Sequence, residues 1–276
     1  MVFFLALLPL RSRSLSPIKV TEVPASRTSL GFDRNVYPGD AALPALRKTF
    51  SFTSYWIGPP PGEKQSDWLG KRVLLAAQGF GFVVLFNGRE SRSLKDAVDA
   101  RLKGTLDAQR AARSAEGEGF ARGTVIFLDL EEGGRLSATV HEYVRNWFDG
   151  VTKAGYRAGV YCSAIPWKEG NGITITTVQD IKEHAGSREI VYWVYSLACP
   201  PSPGCVFPAV APPVAQSGFS GASIWQYAQS PRRKEFTAQC AASYAADGNC
   251  YAPGDSGHKW FLDANVANSP DPSSAK

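Results

Sequence analysis

Val125-Ile-Phe-Leu-Asp-Leu-Glu131 is an apolar run that turns acidic at its end. Side chains alternate across a strand, so Asp129 and Glu131 share one face while Leu128 and Leu130 take the other. A charged pair at the end of an apolar strand is costly if it is buried dry and unpaired. The run therefore reads as a strand that opens into a cleft. Two more acids stand in similar places, Asp33 after Ser29-Leu-Gly-Phe and Asp263 after Trp260-Phe-Leu.

Working outward from 124–131, comparable runs occupy 29–34, 50–57, 80–87, 157–163, 189–197, 222–228 and 260–266, which makes eight strand candidates. Helical patterns fall between many of them, at 41–48, 66–78, 93–115, 138–154 and 176–185. In 138–154, Val140, Val144, Trp147, Phe148 and Val151 form one apolar stripe; Thr139 with Glu142 offers a capping box and Gly155 a stop. Strands alternating with helices imply parallel pairing, and eight of them predict a single (β/α)8 TIM-type barrel, an α/β fold. An open doubly wound sheet is the alternative, but no Gly-rich phosphate turn follows the first strand. The last third is irregular. Residues 198–221 are rich in Pro, Gly and Ser, and a seventh helix would have to lie in 233–246. The expected organisation is a tail or signal remnant over 1–28, the barrel over 29–267, and a flexible C-terminal tail over 268–276.

With 44% hydrophobic and 20% charged residues, the 276-residue chain has the material for a folded core rather than extended disorder. Its net charge of +5 is too diffuse for a nucleic-acid partner, and Arg232-Arg-Lys234 is its only dense basic cluster. Met1–Leu10 resembles the apolar core of a secretory signal without the basic region in front. It is too short to span a bilayer, and no other segment is long and apolar enough. Cys199 and Cys205 bracket one Pro/Gly loop and Cys240 and Cys250 another, while Cys162 sits alone on a strand. Two local disulfides are the simplest reading, with zinc ligation as the rival. These features point to export, whether secreted or to a periplasm or cell wall.

Glycosidic cleavage needs one carboxyl group to protonate the leaving oxygen and another to act as nucleophile, base or stabiliser. Asp129, two residues before Glu131, would raise the proton affinity of whichever acid stays protonated. Glu131 lies further out with the longer reach and is the expected acid; Glu132 is read as a loop residue. Asp33 and Asp263, on the first and last strands, become neighbours if the barrel closes. Any one of these acids taken singly could equally be a structural acceptor at a strand end. Aromatics at the strand ends suit sugar faces, although single aromatics usually fill cores. Asn35, Tyr55, Tyr161, Trp193, Trp225 and Gln226 make up the expected sugar-contacting set. No cofactor is expected. The three histidines, His141, His184 and His258, all lie away from strand ends, so no histidine metal site is expected either, although an oxygen-ligated Mg2+ or Ca2+ at the acidic cluster stays open.

Five motifs occur in order: Gly31-Phe-Asp33, Phe127-Leu-Asp-Leu-Glu131, Ala158-Gly-Val-Tyr-Cys162, Ile224-Trp-Gln-Tyr227 and Leu262-Asp-Ala-Asn265. Together they resemble the bacterial glycoside hydrolase-like domain of unknown function 1906 and, more distantly, the family-25 glycoside hydrolases, which are lysozymes cutting peptidoglycan. The resemblance spans about residues 29–267. It implies a TIM-type barrel with the catalytic acid at Glu131 and supporting acids at Asp129, Asp33 and Asp263. It also implies a polysaccharide partner, peptidoglycan. The chain departs from the lysozymes at Phe86-Asn87-Gly88 and at Gly58-Pro-Pro-Pro-Gly62. The expected protein is a secreted, monomeric, lysozyme-like glycosidase. A catalytically inactive glycan binder and a carboxylate-metal hydrolase are the alternatives.

Overall fold

The computed structural model describes residues 28–199, 212–229 and 262–275. Eight strands close a barrel: β1 Ser29–Asp33, β2 Phe52–Trp56, β3 Gly81–Asn87, β4 Val125–Asp129, β5 Arg157–Ser163, β8 Val191–Cys199, β9 Ala222–Ala228 and β10 Asp263–Ala267. The order around the barrel is β1-β10-β9-β8-β5-β4-β3-β2. All eight sequence candidates are strands. A separate two-stranded ribbon, β6 Trp167–Lys168 with β7 Thr174–Ile175, was not expected. The helices are α1 Leu43–Arg47, α2 Arg72–Ala77, α3 Ala97–Gly117, α4 Ala138–Lys153 and α5 Thr177–His184. The seventh helix expected in 233–246 lies outside the described residues. No helix among those described is long and apolar enough to cross a membrane.

The expectation of parallel pairing throughout is corrected at the last strand. β10 runs antiparallel to both β9 and β1, with Asp33 opposite Asp263. A parallel strand would require the chain to cross back to the amino end of the barrel. β9 ends at the carboxyl rim and β10 begins there, so Asp263 opens its strand instead of closing it. The acid still reaches the expected rim.

α4 buries Val140, Val144, Trp147, Phe148 and Val151, each worth about 1.5–3 kcal/mol when removed from water. Its cap is Ser137, whose hydroxyl accepts Val140 N at 3.2 Å, and not the predicted Thr139 and Glu142. Ser137 is the last extended residue, so the helix begins earlier than the capping box implied. Glu142 instead pairs with Arg101 and Arg145. Gly155 ends the helix at φ 85°, a conformation costly for any residue with a Cβ. α3 lies against α4 through small residues. A Cβ on Gly104 would stand 2.4 Å from the Tyr143 carbonyl, so nothing larger permits this approach.

The amino end of the barrel is closed by the stretch read as a flexible tail. Ser273 is buried; its Oγ accepts Val84 N at 2.9 Å and its carbonyl accepts Val125 N at 2.9 Å. Ser273 N donates to Phe82 O at 2.9 Å, and Asp271 Oδ1 accepts Phe82 N at 2.8 Å. These bonds satisfy strand-end groups of β3 and β4 that the barrel ladder leaves over.

Candidate active site

Alternation along each strand sorts the barrel residues into inward and outward sets. Asp33, Trp56, Asn87, Asp129, Tyr161, Gln226 and Asp263 fall in the inward layer nearest the carboxyl rim, above Phe127, Trp193 and Asn265. Asp33, Asp129 and Asp263 are all buried. Asp33 Oδ1 accepts Gln226 Nε2 at 2.8 Å and Asn265 Nδ2 at 2.6 Å. Tyr161 donates its hydroxyl to Gln226 Oε1 at 2.8 Å, and Trp193 Nε1 donates to Asn265 Oδ1 at 2.9 Å. Each amide thus accepts from an aromatic donor and gives to the same carboxylate oxygen, which fixes which end of the amide points where. Trp193 and Tyr161 meet edge to face at 4.8 Å, so the network rests on a packed floor.

The Tyr161 hydroxyl reports how the four acids are arranged. Burial first, then the charges of Glu131, Asp33, Asp129 and Asp263, push its pKa well above the ordinary phenol value. All four predicted carboxylates are thus near enough to bear on the charge state of one buried phenol. Tyr195, the register partner of Gln226, is raised too, by burial and then by Asp263 and Glu131.

Asp129 and Glu131 are held differently. β4 ends at Asp129, whose carbonyl accepts Gly88 N at 2.9 Å, and Leu130 N donates to Tyr161 O at 3.0 Å. Glu131 lies beyond this clamp, in the loop, and is exposed. It is not the last strand residue that its alternation with Asp129 suggested. Glu132 is a loop residue as expected, accepting Ser91 N at 2.5 Å. Asp129, Glu131, Asn87, Arg89 and Pro61 line a cleft of about 530 Å3. A hollow of about 970 Å3 at the amino end, between α4, α5 and the starts of β5 and β8, touches none of the acids.

The expected sugar contacts divide. Tyr161 and Gln226 belong to the network, and Trp193 supports it from a depth that leaves it 1% exposed. Asn35 donates to Pro61 O at 2.8 Å, tying the segment after β1 to the cleft wall. Tyr55 is corrected. It points out of the barrel, packs on Phe82, Phe120 and Trp68, and bonds Glu118 at the end of α3. Trp225 is corrected too, because it faces opposite to Gln226, with its Nε1 on Ser196 O at 2.8 Å. Cys162 is a buried free thiol, as read from the sequence. Cys205, Cys240, Cys250 and the side chain of Cys199 lie outside the described residues, as does His258. Sequence reasoning did not select Asn265 as a site residue, although it follows Asp263 by two positions and so shares its face. It also missed that His141 and His184 meet, both beside Asp180.

Residues 68–198 match a family described as the Rv2525c-like, glycoside hydrolase-like domain. No curated protein matches the chain. An uncharacterized protein of B. stearothermophilus superposes with a TM-score of 0.52 at 14% identity, over 87% of this chain and 95% of that one. The spore cortex lytic enzyme SleM of Clostridium perfringens superposes with a TM-score of 0.50 at 14% identity, over 88% of this chain and 68% of its own. At such identities the likeness is one of fold. The chain is thus an eight-stranded α/β barrel whose residues 68–198 are similar to the Rv2525c-like, glycoside hydrolase-like domain and carry Asp129, Glu131 and Tyr161.

Proposed function

We propose that this protein is an exported glycosidase of bacterial cell-wall glycan, peptidoglycan, with Glu131 as general acid and Asp33, Asp129 and Asp263 as supporting carboxylates. The observation that supports this reading is the placement of acids at the carboxyl rim, Asp33 opposite Asp263 and Asp129 with Glu131 on a cleft of about 530 Å3, where barrel enzymes do their chemistry. The fold shared with a cortex-lytic enzyme agrees with it, as do the apolar run Met1–Leu10 and the two loop cysteine pairs.

In this mechanism Glu131, at the solvent side, delivers its proton to the glycosidic oxygen as the bond to the anomeric carbon breaks. Positive charge developing on the sugar ring is met by the buried aspartates. Water then bonds to the anomeric carbon, and a carboxylate takes the proton it releases. Tyr161 stays a neutral donor, keeps the Gln226 amide turned toward Asp33, and so positions a carboxylate without itself changing charge.

The test is release of reducing ends from purified peptidoglycan at mildly acidic pH by wild type and Glu131→Gln. A general acid contributes about 10²–10⁴-fold, so release should fall by at least about a hundredfold, with sedimentation on the wall retained. Equal release by both proteins removes Glu131 from the acid role. No release by either, with wall binding intact, makes the barrel a glycan-binding module.

A further inference from the structure

Outside the barrel interior, His141 in the first turn of α4 and His184 at the end of α5 meet a buried carboxylate. Asp180, in the first turn of α5, is 0% exposed. Its Oδ2 lies 2.7 Å from His141 Nε2 and accepts Leu136 N at 3.0 Å. Its Oδ1 is buried without a hydrogen bond, 3.5 Å from His184 Nδ1 and 3.6 Å from the Arg135 guanidinium. The two imidazoles stack at 3.8 Å, 15° from parallel, and a void of about 10 Å3 lies against both rings. One potential ligand atom from each of His141, Asp180 and His184 lies within 4.8 Å of the others.

A purely structural hydrogen bond from His141 accounts for Oδ2 and nothing else. It leaves a buried carboxylate oxygen without a donor, at a cost of about 1–3 kcal/mol or more. The second imidazole is held by its Nδ1 contact with Asp180 O at 2.8 Å, which brings the same nitrogen to 3.5 Å from Oδ1 without satisfying it. Two imidazoles and one carboxylate are a ligand set for zinc and similar divalent transition metals, held in tetrahedral geometry at about 2.0–2.2 Å. Donors around such an ion stand about 3.4 Å apart. Each imidazole ligates in its own plane, so the stacked rings must splay, the partly exposed His184 ring turning, to bring both nitrogens to one ion.

We propose that His141, Asp180 and His184 form a binding site for a divalent transition-metal ion of the zinc type. The ion takes a lone pair from His141 Nε2, one from His184 Nδ1 and one from the Asp180 carboxylate. Each imidazole keeps its proton on the other ring nitrogen, so His184 Nδ1 gives up its 2.8 Å contact with Asp180 O. The His184 ring is 38% exposed, which leaves the fourth position open to water. Arg135 competes for Asp180 but has Glu169 as its main partner, at 3.0 and 3.1 Å. The ion would brace the loop after Glu131, because Leu136 N binds Asp180 and Thr177 Oγ1 donates to Glu132 O at 3.3 Å.

The experiment is calorimetric titration of Zn2+ into the chelator-stripped full chain, with Co2+ absorption as the second readout. Wild type should bind one Zn2+ that His184→Ala loses or binds at least about tenfold more weakly, with tetrahedral Co2+ bands disappearing in parallel. Arg135→Ala should bind severalfold more tightly, since a competing cation is gone. The loop cysteines and His258 are further possible ligands, so total uptake alone decides nothing. Uptake and Co2+ bands unchanged by His184→Ala, or an Arg135→Ala variant that binds no more tightly, would overturn the site. Because the readout is metal affinity, it is independent of any glycan cleavage.

Discussion

At the carboxyl rim, side chains of β1, β5, β9 and β10 point inward and bond one another, and acids crowd around a phenol. At the amino end, the main chain of residues 271–273 lies across β3 and β4 and satisfies backbone groups directly. The first arrangement gathers like charges, which repel, and so costs stability to hold functional groups together. The second gathers no such charges and completes a ladder. If the rim is the site of the proposed chemistry, substitutions at the two ends should separate activity from stability.

The largest expected effect is at the closed end. Ending the chain after Asn268 strips partners from the N–H groups of Phe82, Val84 and Val125. At about 1–3 kcal/mol for each buried orphan the loss is roughly 3–9 kcal/mol, enough to unfold many domains. Urea denaturation followed by circular dichroism measures it; a near-wild-type midpoint would make the closure ornamental. Next comes a matched pair. Ser273→Ala and Gln226→Ala should each cost about 1–3 kcal/mol, since each orphans a buried donor, Val84 N or the Tyr161 hydroxyl. Only Gln226→Ala should also lower peptidoglycan cleavage per folded molecule, by about tenfold or more. Equal activity losses in both would erase the distinction between the ends.

A smaller effect comes from alkali. Burial and four carboxylates hold the Tyr161 proton well past the ordinary phenol range, while the unfolded chain releases it near pH 10. The stability this gives is fully present below about pH 10 and is lost as pH rises further, so Tyr161→Phe should show a shallower alkaline decline. The smallest effect has the opposite sign. Burial raises the Asp271 pKa despite its bond from Phe82 N, so its charge at neutral pH disfavours folding. The sign follows from linkage: this contribution favours the fold below the unfolded carboxyl pKa and is lost as pH rises through the folded one. Asp271→Asn keeps an acceptor for Phe82 N and should raise the melting temperature slightly at pH 7 and not at all near pH 3.

Much of this was legible in the chain. Apolar runs located all eight strands, and Asp33 and Asp263 are neighbours as closure predicted. The direction of β10 was not legible, because a period of two reads the same in both directions. Tyr55 and Trp225 were assigned to the site because strands covered on both faces give no cue to which face is inward. β2 is buried at every position, so its aromatics look alike in sequence while Trp56 turns in and Tyr55 turns out. His141 and His184 looked unrelated because only the packing of α4 beside α5 brings them together.

The antiparallel last strand also bears on when the site comes into being. The bond from Asn265 to Asp33 joins residues 232 positions apart, the first strand to the last. Contacts that distant form late, after the cost of closing the loop between them has been met. A chain emerging from the ribosome can assemble β1 through β5 with their helices while Asp33 still lacks two of its neighbours, Asn265 and Asp263. The acidic cluster is completed only when β10 docks beside β1. On this view the cluster stays incomplete in any nascent chain that has not yet delivered β10 to the barrel.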